Sequence, residues 1–300
     1  MNNPLVAIVE PGFFVNGPVH VALAIGGGAA LISAVVGVFT VMRGQSFAGH
    51  ALADVSSAGG SASLLFGIRP LVGFLVMAAI AAGGMEIIGA RQVRERDLVT
   101  GVVLGAGLGL TALFLYLDAT MTSASGAANT VMFGSMFAIA PSTVPLAVIV
   151  GVVALIMSGI LYRPLLLVAI DPDLAAIRGV KVRWIGLAHL LVLAMAVALS
   201  AMTIGAILST ALLIGPAAAA LRLASRPSWA IAIAATIGLT ATWGGILLAY
   251  DSFYWTPGHG WPVSFFVVVI VFASYMVAGP TGTALARRRA AALPAPALVD

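Results

Sequence analysis

Two ionisable residues, His50 and Asp54, stand four positions apart inside an otherwise weakly polar stretch, and Ser57 and Ser61 follow at helical spacing. On a helix that spacing puts all four side chains on one stripe. An imidazole and a carboxylate so placed can both turn toward one ion, the donor chemistry of a first-row divalent cation site. The same pair can instead satisfy itself between packed helices. Two ligands are too few for a tetrahedral site, so water, other segments or a second copy of the chain would have to complete it. The chain has no cysteine, which excludes thiolate ligands, disulfides and iron–sulfur clusters.

The setting of that pair is a membrane. Hydrophobic residues make up 61% of the chain and charged residues 8%, and the apolar runs are long enough to cross ~30 Å of hydrocarbon as helices. The expected fold is all-α, a polytopic membrane helix bundle of about nine spans, with eight as the alternative count. The nine are residues 20–42, 46–67, 70–90, 98–117, 144–161, 184–202, 205–224, 229–250 and 263–278. A helix starting near Ser46 rises ~1.5 Å per residue and carries Asp54 roughly 12 Å into the membrane, where an ionisable group costs ~2.5 to 3.5 kcal/mol on insertion scales.

Charge sets the expected topology. With nine crossings, thirteen of the fourteen Lys and Arg residues share one face, and Arg69 alone lies opposite. The positive-inside rule makes that face cytoplasmic. The N-terminus is then outside, the C-terminus is cytoplasmic, and Tyr250, Tyr254, Trp255 and Trp261 form part of an outer aromatic belt. Residues 1–19 read as an extracytoplasmic segment, 20–280 as one transmembrane domain and 281–300 as a cytoplasmic, disordered tail. No Lys or Arg precedes Arg43, so the start does not read as a signal peptide. The net charge of +4 fits loops near anionic lipid rather than a nucleic-acid surface.

Two connections stand out. Residues 118–142 face outside and contain the short apolar fragment 131–137, which reads either as a re-entrant or interfacial helix or as an ordinary packed loop. Residues 163–183 face the cytoplasm, and within them Asp171 reads as an N-cap, Pro172 as the first helical residue and Gly179 as the terminator. Leu174 and Ile177, three apart, give this short helix a small apolar face. Among the other polar residues, Glu86 is expected to pair with a basic neighbour such as Arg94, and His189 to be a packed or hydrogen-bonded histidine. His20, Asp118, Asp251 and His259 read as solvated groups at the outer mouth. Catalysis has no visible constellation, and Lys181, the one lysine, lies between valines, so there is no Walker A loop. The chain reads as a transporter rather than an enzyme.

The run Arg43-Gly44-Gln45-Ser46-Phe47-Ala48-Gly49-His50-Ala51-Leu52-Ala53-Asp54-Val55-Ser56-Ser57-Ala58-Gly59-Gly60 resembles the signature of the permeases of metal-ion ABC importers. Phe133-Gly134-Ser135, the Asp171-Pro172-Asp173 to Gly179 segment and residues 205–218 agree with it in order and spacing. The resemblance covers roughly residues 20–280. It implies import of zinc, manganese or iron by alternating access in the plasma or inner membrane, with no permanently bound cofactor. It also implies a permease dimer on two cytoplasmic ABC ATPase subunits and an extracytoplasmic metal-binding protein as donor. In the family an Asp is followed four residues later by a His; here His50 and Asp54 stand in exchanged order. The same resemblance makes Pro172, Asp173, Leu174, Ile177 and Arg178 the coupling helix that meets the ATPase. An ion-coupled secondary transporter and an ABC permease for a metal chelate are the alternative readings.

The topology is directly testable in a chain without cysteine. In sealed cells, an impermeant thiol reagent is expected to label Ser125→Cys and to leave Arg178→Cys unlabelled; the reverse pattern overturns the assignment.

Overall fold

The computed structural model describes residues 12–88, 93–121, 126–255 and 260–291; of residues 93–96, 286 and 288–291 it describes the backbone. Every regular element among them is helical: α1 (Gly17–Met42), α2 (Ser46–Leu65), α3 (Pro70–Ile88), α4 (Val93–Met121), α5 (Ala127–Phe133), α6 (Val144–Ile170), α7 (Pro172–Ile177), α8 (Val182–Ile204), α9 (Ala206–Leu223), α10 (Pro227–Trp255) and α11 (Val263–Ala291). Eight of these, all but α2 and the short α5 and α7, are long and apolar enough to cross a membrane. Helix α2 has 20 residues, a spanning length, but its Ser, Gly, His and Asp content makes it less apolar than the others. It packs against α3, α4, α8 and α9, so protein rather than lipid surrounds it. Helices α1 and α8 are the most enclosed of the eight, with 67% of their apolar windows buried against 17% for α4. They form the inner wall of the bundle, and α4 its periphery.

Counting α2 as a crossing, Arg43, Arg163, Arg178, Lys181, Arg183, Arg222, Arg226 and Arg287 all fall at the end of the bundle that carries α7, and Arg69 falls at the other. Arg91, residues 1–11, His259 and residues 292–300 lie outside the described residues, as do the side chains of Arg94 and Arg96.

Three boundaries differ from the sequence expectation. Helix α6 continues through Arg163 and Pro164 to Ile170 instead of stopping at residue 161. A proline removes one backbone hydrogen bond, but Leu165 and Val168 beyond it are buried, and that packing keeps the segment helical. The loop expected from residue 163 is therefore confined to α7 and its flanks. Helix α11 runs to Ala291, so the first eleven residues of the tail expected to be disordered from residue 281 are helical. In the 118–142 connection, α5 ends at Phe133, half-way through the apolar fragment, and Gly134 turns the chain with φ 77°.

Glycines set how closely the helices approach. A β-carbon on Gly59 would overlap the carbonyl of Gly73, and one on Gly73 would overlap the carbonyl of Gly59, so α2 and α3 meet backbone to backbone. Overpacking such a contact is expected to cost about 1–3 kcal/mol. Gly59→Val should therefore lower the thermal unfolding midpoint of the purified protein clearly. Gly101→Val on α4, where a β-carbon meets nothing within 4 Å, should leave it unchanged.

Candidate functional site

Helix α2 begins after a tight turn in which Gly44, at φ 64°, lets Gln45 N bond back to Thr40 O. That turn holds the first residues of α2 inside the bundle: a β-carbon on Gly49 would stand 3.0 Å from Leu213 of α9 and 3.7 Å from Thr40 of α1. One residue on, His50 faces α9. Its Nδ1 lies 3.0 Å from Thr210 Oγ1, and its Nε2 lies 3.4 Å from Asp54 Oδ2. The side chains are 44% and 13% exposed respectively, so the pair opens to space rather than being sealed between helices. A hydrogen bond at one imidazole nitrogen fixes what the other can do. Thr210 holds Nδ1, as donor or acceptor according to the tautomer, and leaves Nε2 beside the carboxylate.

The rest of the stripe is used differently. Ser57 shares a 2.8 Å hydrogen bond with Thr111 of α4, and Ser61 donates to Ser57 O at 2.9 Å. Both serines are buried and tie α2 to α4 and to itself. Among the described residues no cluster of three or more His, Cys, Asp or Glu occurs, so the protein donors brought together here are His50 and Asp54 alone. Sequence reasoning missed Thr210. Its signal was the hydroxyl pair Ser209-Thr210 in a span whose other polar side chain, Arg222, lies in the last turn.

The remaining candidates are placed as follows. His189 is buried, with Nε2 3.4 Å from Thr40 Oγ1, which is the packed, hydrogen-bonded role expected of it. Glu86 pairs with a basic residue, Arg183 of α8, at 3.8 Å, and the side chain of Arg94 lies outside the described residues. His20 is exposed, its Nε2 at 2.8 Å from Phe14 O. Asp118 and Asp251 are buried, 1% and 4% exposed, and not the solvated mouth groups expected. The aromatic side chains Tyr250, Tyr254, Trp255 and Trp261 gather where α10 ends and α11 begins, with Tyr250 and Tyr254 6.0 Å apart.

Helix α7 has the expected caps. Asp171 Oδ1 accepts from Asp173 N at 2.9 Å and from Leu174 N at 3.0 Å. At the other end Gly179, at φ 80°, allows its own N–H to reach Ala176 O and Val180 N to reach Ala175 O, each at 3.0 Å. Ala175 is buried against the bundle, whereas Leu174 is 38% and Ile177 84% exposed.

Residues 19–278 match the ABC 3 transport family. The chain belongs to that family. It is 24% identical over 259 residues to the manganese transport system membrane protein MntC of Listeria monocytogenes, covering 86% of this chain and 90% of that one. To the high-affinity zinc uptake system membrane protein ZnuB of Haemophilus influenzae it is 26% identical over 228 residues, 74% and 85% of the two chains. The solved structure of PsaBC from Streptococcus pneumoniae in complex with Fab superposes with a TM-score of 0.76 at 23% identity, over 92% of this chain and 97% of that one. That likeness establishes a shared fold. With its eight apolar helices, the protein is a multi-pass membrane transport protein.

Proposed function

We propose that this chain is the permease subunit of an ABC importer for a divalent transition metal, with manganese and zinc as the first candidates. The observation that carries the reading is that this ABC transport family member holds an imidazole and a carboxylate 3.4 Å apart between its spans, with Thr210 orienting the imidazole. The mixed nitrogen and oxygen donors suit Mn or Zn, and the chain offers no thiolate that would favour softer ions. The manganese and zinc systems named for its relatives support the same choice.

In this reading His50 and Asp54 bind the metal in transit, with water or a second permease subunit supplying further ligands. The chain breaks no bonds; a separate cytoplasmic ATPase supplies the energy, and an extracytoplasmic binding protein delivers the ion. Helix α7, with Pro172, Asp173, Leu174, Ile177 and Arg178, docks on that ATPase, because a capped helix that leaves Leu174 partly and Ile177 largely exposed among the described residues offers an apolar contact. This places α7 in the cytoplasm and the N-terminus outside, as the positive-inside rule requires.

Two experiments on the complex with its ATPase and binding protein in vesicles test this. His50→Ala and Asp54→Ala are each expected to abolish Mn and Zn uptake while the complex still assembles; wild-type uptake in both variants removes the site assignment. Leu174→Asp combined with Ile177→Asp is expected to release the ATPase or to separate ATP turnover from uptake. Wild-type levels of co-purification, metal-stimulated ATP turnover and uptake would show that coupling does not pass through α7.

A further inference from the structure

Between the His50/Asp54 pair and the α7 end of the bundle, three helices place charged side chains around one glycine. Arg43 follows α1, Glu86 lies in the last turn of α3 and Arg183 in the first turn of α8. Glu86 Oε1 and Arg183 Nε are 3.8 Å apart. A β-carbon at Gly186, about one turn further along α8, would lie 3.4 Å from Glu86 Oε2 and 3.9 Å from Arg43 Nη2. The carboxylate and the second guanidinium therefore converge on the same point of α8, a point open to them because Gly186 has no side chain. Just beyond it, His189 is buried against Thr40 of α1, so the floor above the charges is closed by packing.

In the transport reading, this cluster stands on the α7 side of the pair. Helix α2 starts three residues after Arg43, and at ~1.5 Å per residue His50 stands roughly 6 Å above that start. Among the described residues, Arg43, Glu86 and Arg183 draw the ends of α1, α3 and α8 together here, a barrier held by pairing of opposite charges rather than by net charge. The barrier holds only while α1, α3 and α8 keep their places. Helix α7 joins α8 through residues 178–181, so a displacement of α7 is delivered to the turn that carries Arg183.

We propose that Arg43, Glu86 and Arg183 form an ionic latch that shuts the α7 end of the translocation pathway, and that movement of α7 opens it by drawing Arg183 away from Glu86. The proposal rests on the transport reading above.

The test uses Thr40→Cys, buried in the last turn of α1, as a reporter in the cysteine-free chain. The full chain in nanodiscs is treated in parallel with a cationic and an anionic methanethiosulfonate, so that a rise with both reports opening rather than a change of local charge, and labelling needs neither metal nor ATPase. Adding Glu86→Gln or Arg183→Gln is expected to raise the labelling rate about three- to fivefold, the scale of a partly exposed ion pair. Combining both should raise it no further, since both remove one shared interaction. Arg183 is 71% exposed, so its replacement leaves the packing intact and the result readable even where Glu86→Gln unfolds the chain. A reporter rate unchanged by Arg183→Gln overturns the latch, and so do independent, multiplying increases in the combined variant. Absence of metal uptake by the wild-type complex would overturn the transport reading without altering this comparison.

Discussion

Hydrocarbon offers no partner to an imidazole, a carboxylate or a row of hydroxyls, and the rest of the bundle is arranged to meet that constraint on α2. The helix carries His50, Asp54, Ser56, Ser57, Ser61 and Ser63, and it is wrapped by α3, α4, α8 and α9. Wrapping so closely is a matter of missing side chains. Gly59 and Gly73 bring α2 onto α3, and a β-carbon on Gly60 would collide with the Phe74 ring. Gly107 brings α4 against Val55 in the same way. Small residues let backbones approach where apolar burial supplies no driving force between helices in lipid. The sequence is rich in glycine, with 34 in the chain, and these contacts give several of them a definite task.

The orientation of His50 depends on a second close contact some distance away. Thr210 stands where it does because α9 starts immediately after Gly205, whose φ of 88° reverses the chain out of α8 in a single residue. Gly134, at φ 77°, lies against this reversal: a β-carbon on either glycine would overlap the backbone of the other segment. Both positions demand a conformation that residues with side chains avoid, and both demand empty space. The short helix α5 and the 3₁₀ turn Met136–Ala138 after it thus act as a wedge that fixes the start of α9. Through Thr210 that wedge sets the direction of the imidazole.

Local chemistry was legible in the sequence, and long-range pairing was not. Asp171, Pro172 and Gly179 announced α7 because a cap is a contact between residues two to five apart. The His50/Asp54 pair was legible for the same reason, being one helical turn. Thr210 was not, since 160 positions separate it from His50 and nothing local says that α2 lies beside α9. Glu86 shows the same limit: Arg183, which pairs with it, comes from α8, nearly a hundred positions away, because α8 packs on α3. The end of α6 was misplaced because Arg163-Pro164 is a stop signal only while packing is ignored, and Leu165 is buried. Asp118 and Asp251 were misread because proximity to a loop does not imply exposure when neighbouring helices overhang it.

The geometry of α7 also bears on how motion could reach the pair. Its six residues are held rigid by caps at both ends rather than by burial, with Ala175 as the buried anchor. It is joined to α6 through Asp171 and to α8 through four residues, so a load on α7 has two outlets. Helix α6 packs on α1 and α8, whereas α8 packs on α1, α2, α3 and α9. Those last four include both helices that carry the residues around His50 and Asp54. In the proposed reading, a capped element feeding a helix that packs on both α2 and α9 suits a push-driven transporter, since packed interfaces shift between discrete arrangements instead of deforming smoothly. Displacing α8 along its contact with α9 would move Thr210 relative to α2, and the imidazole would lose its hydrogen-bonded orientation in the same step that disturbs the contact of Arg183 with Glu86.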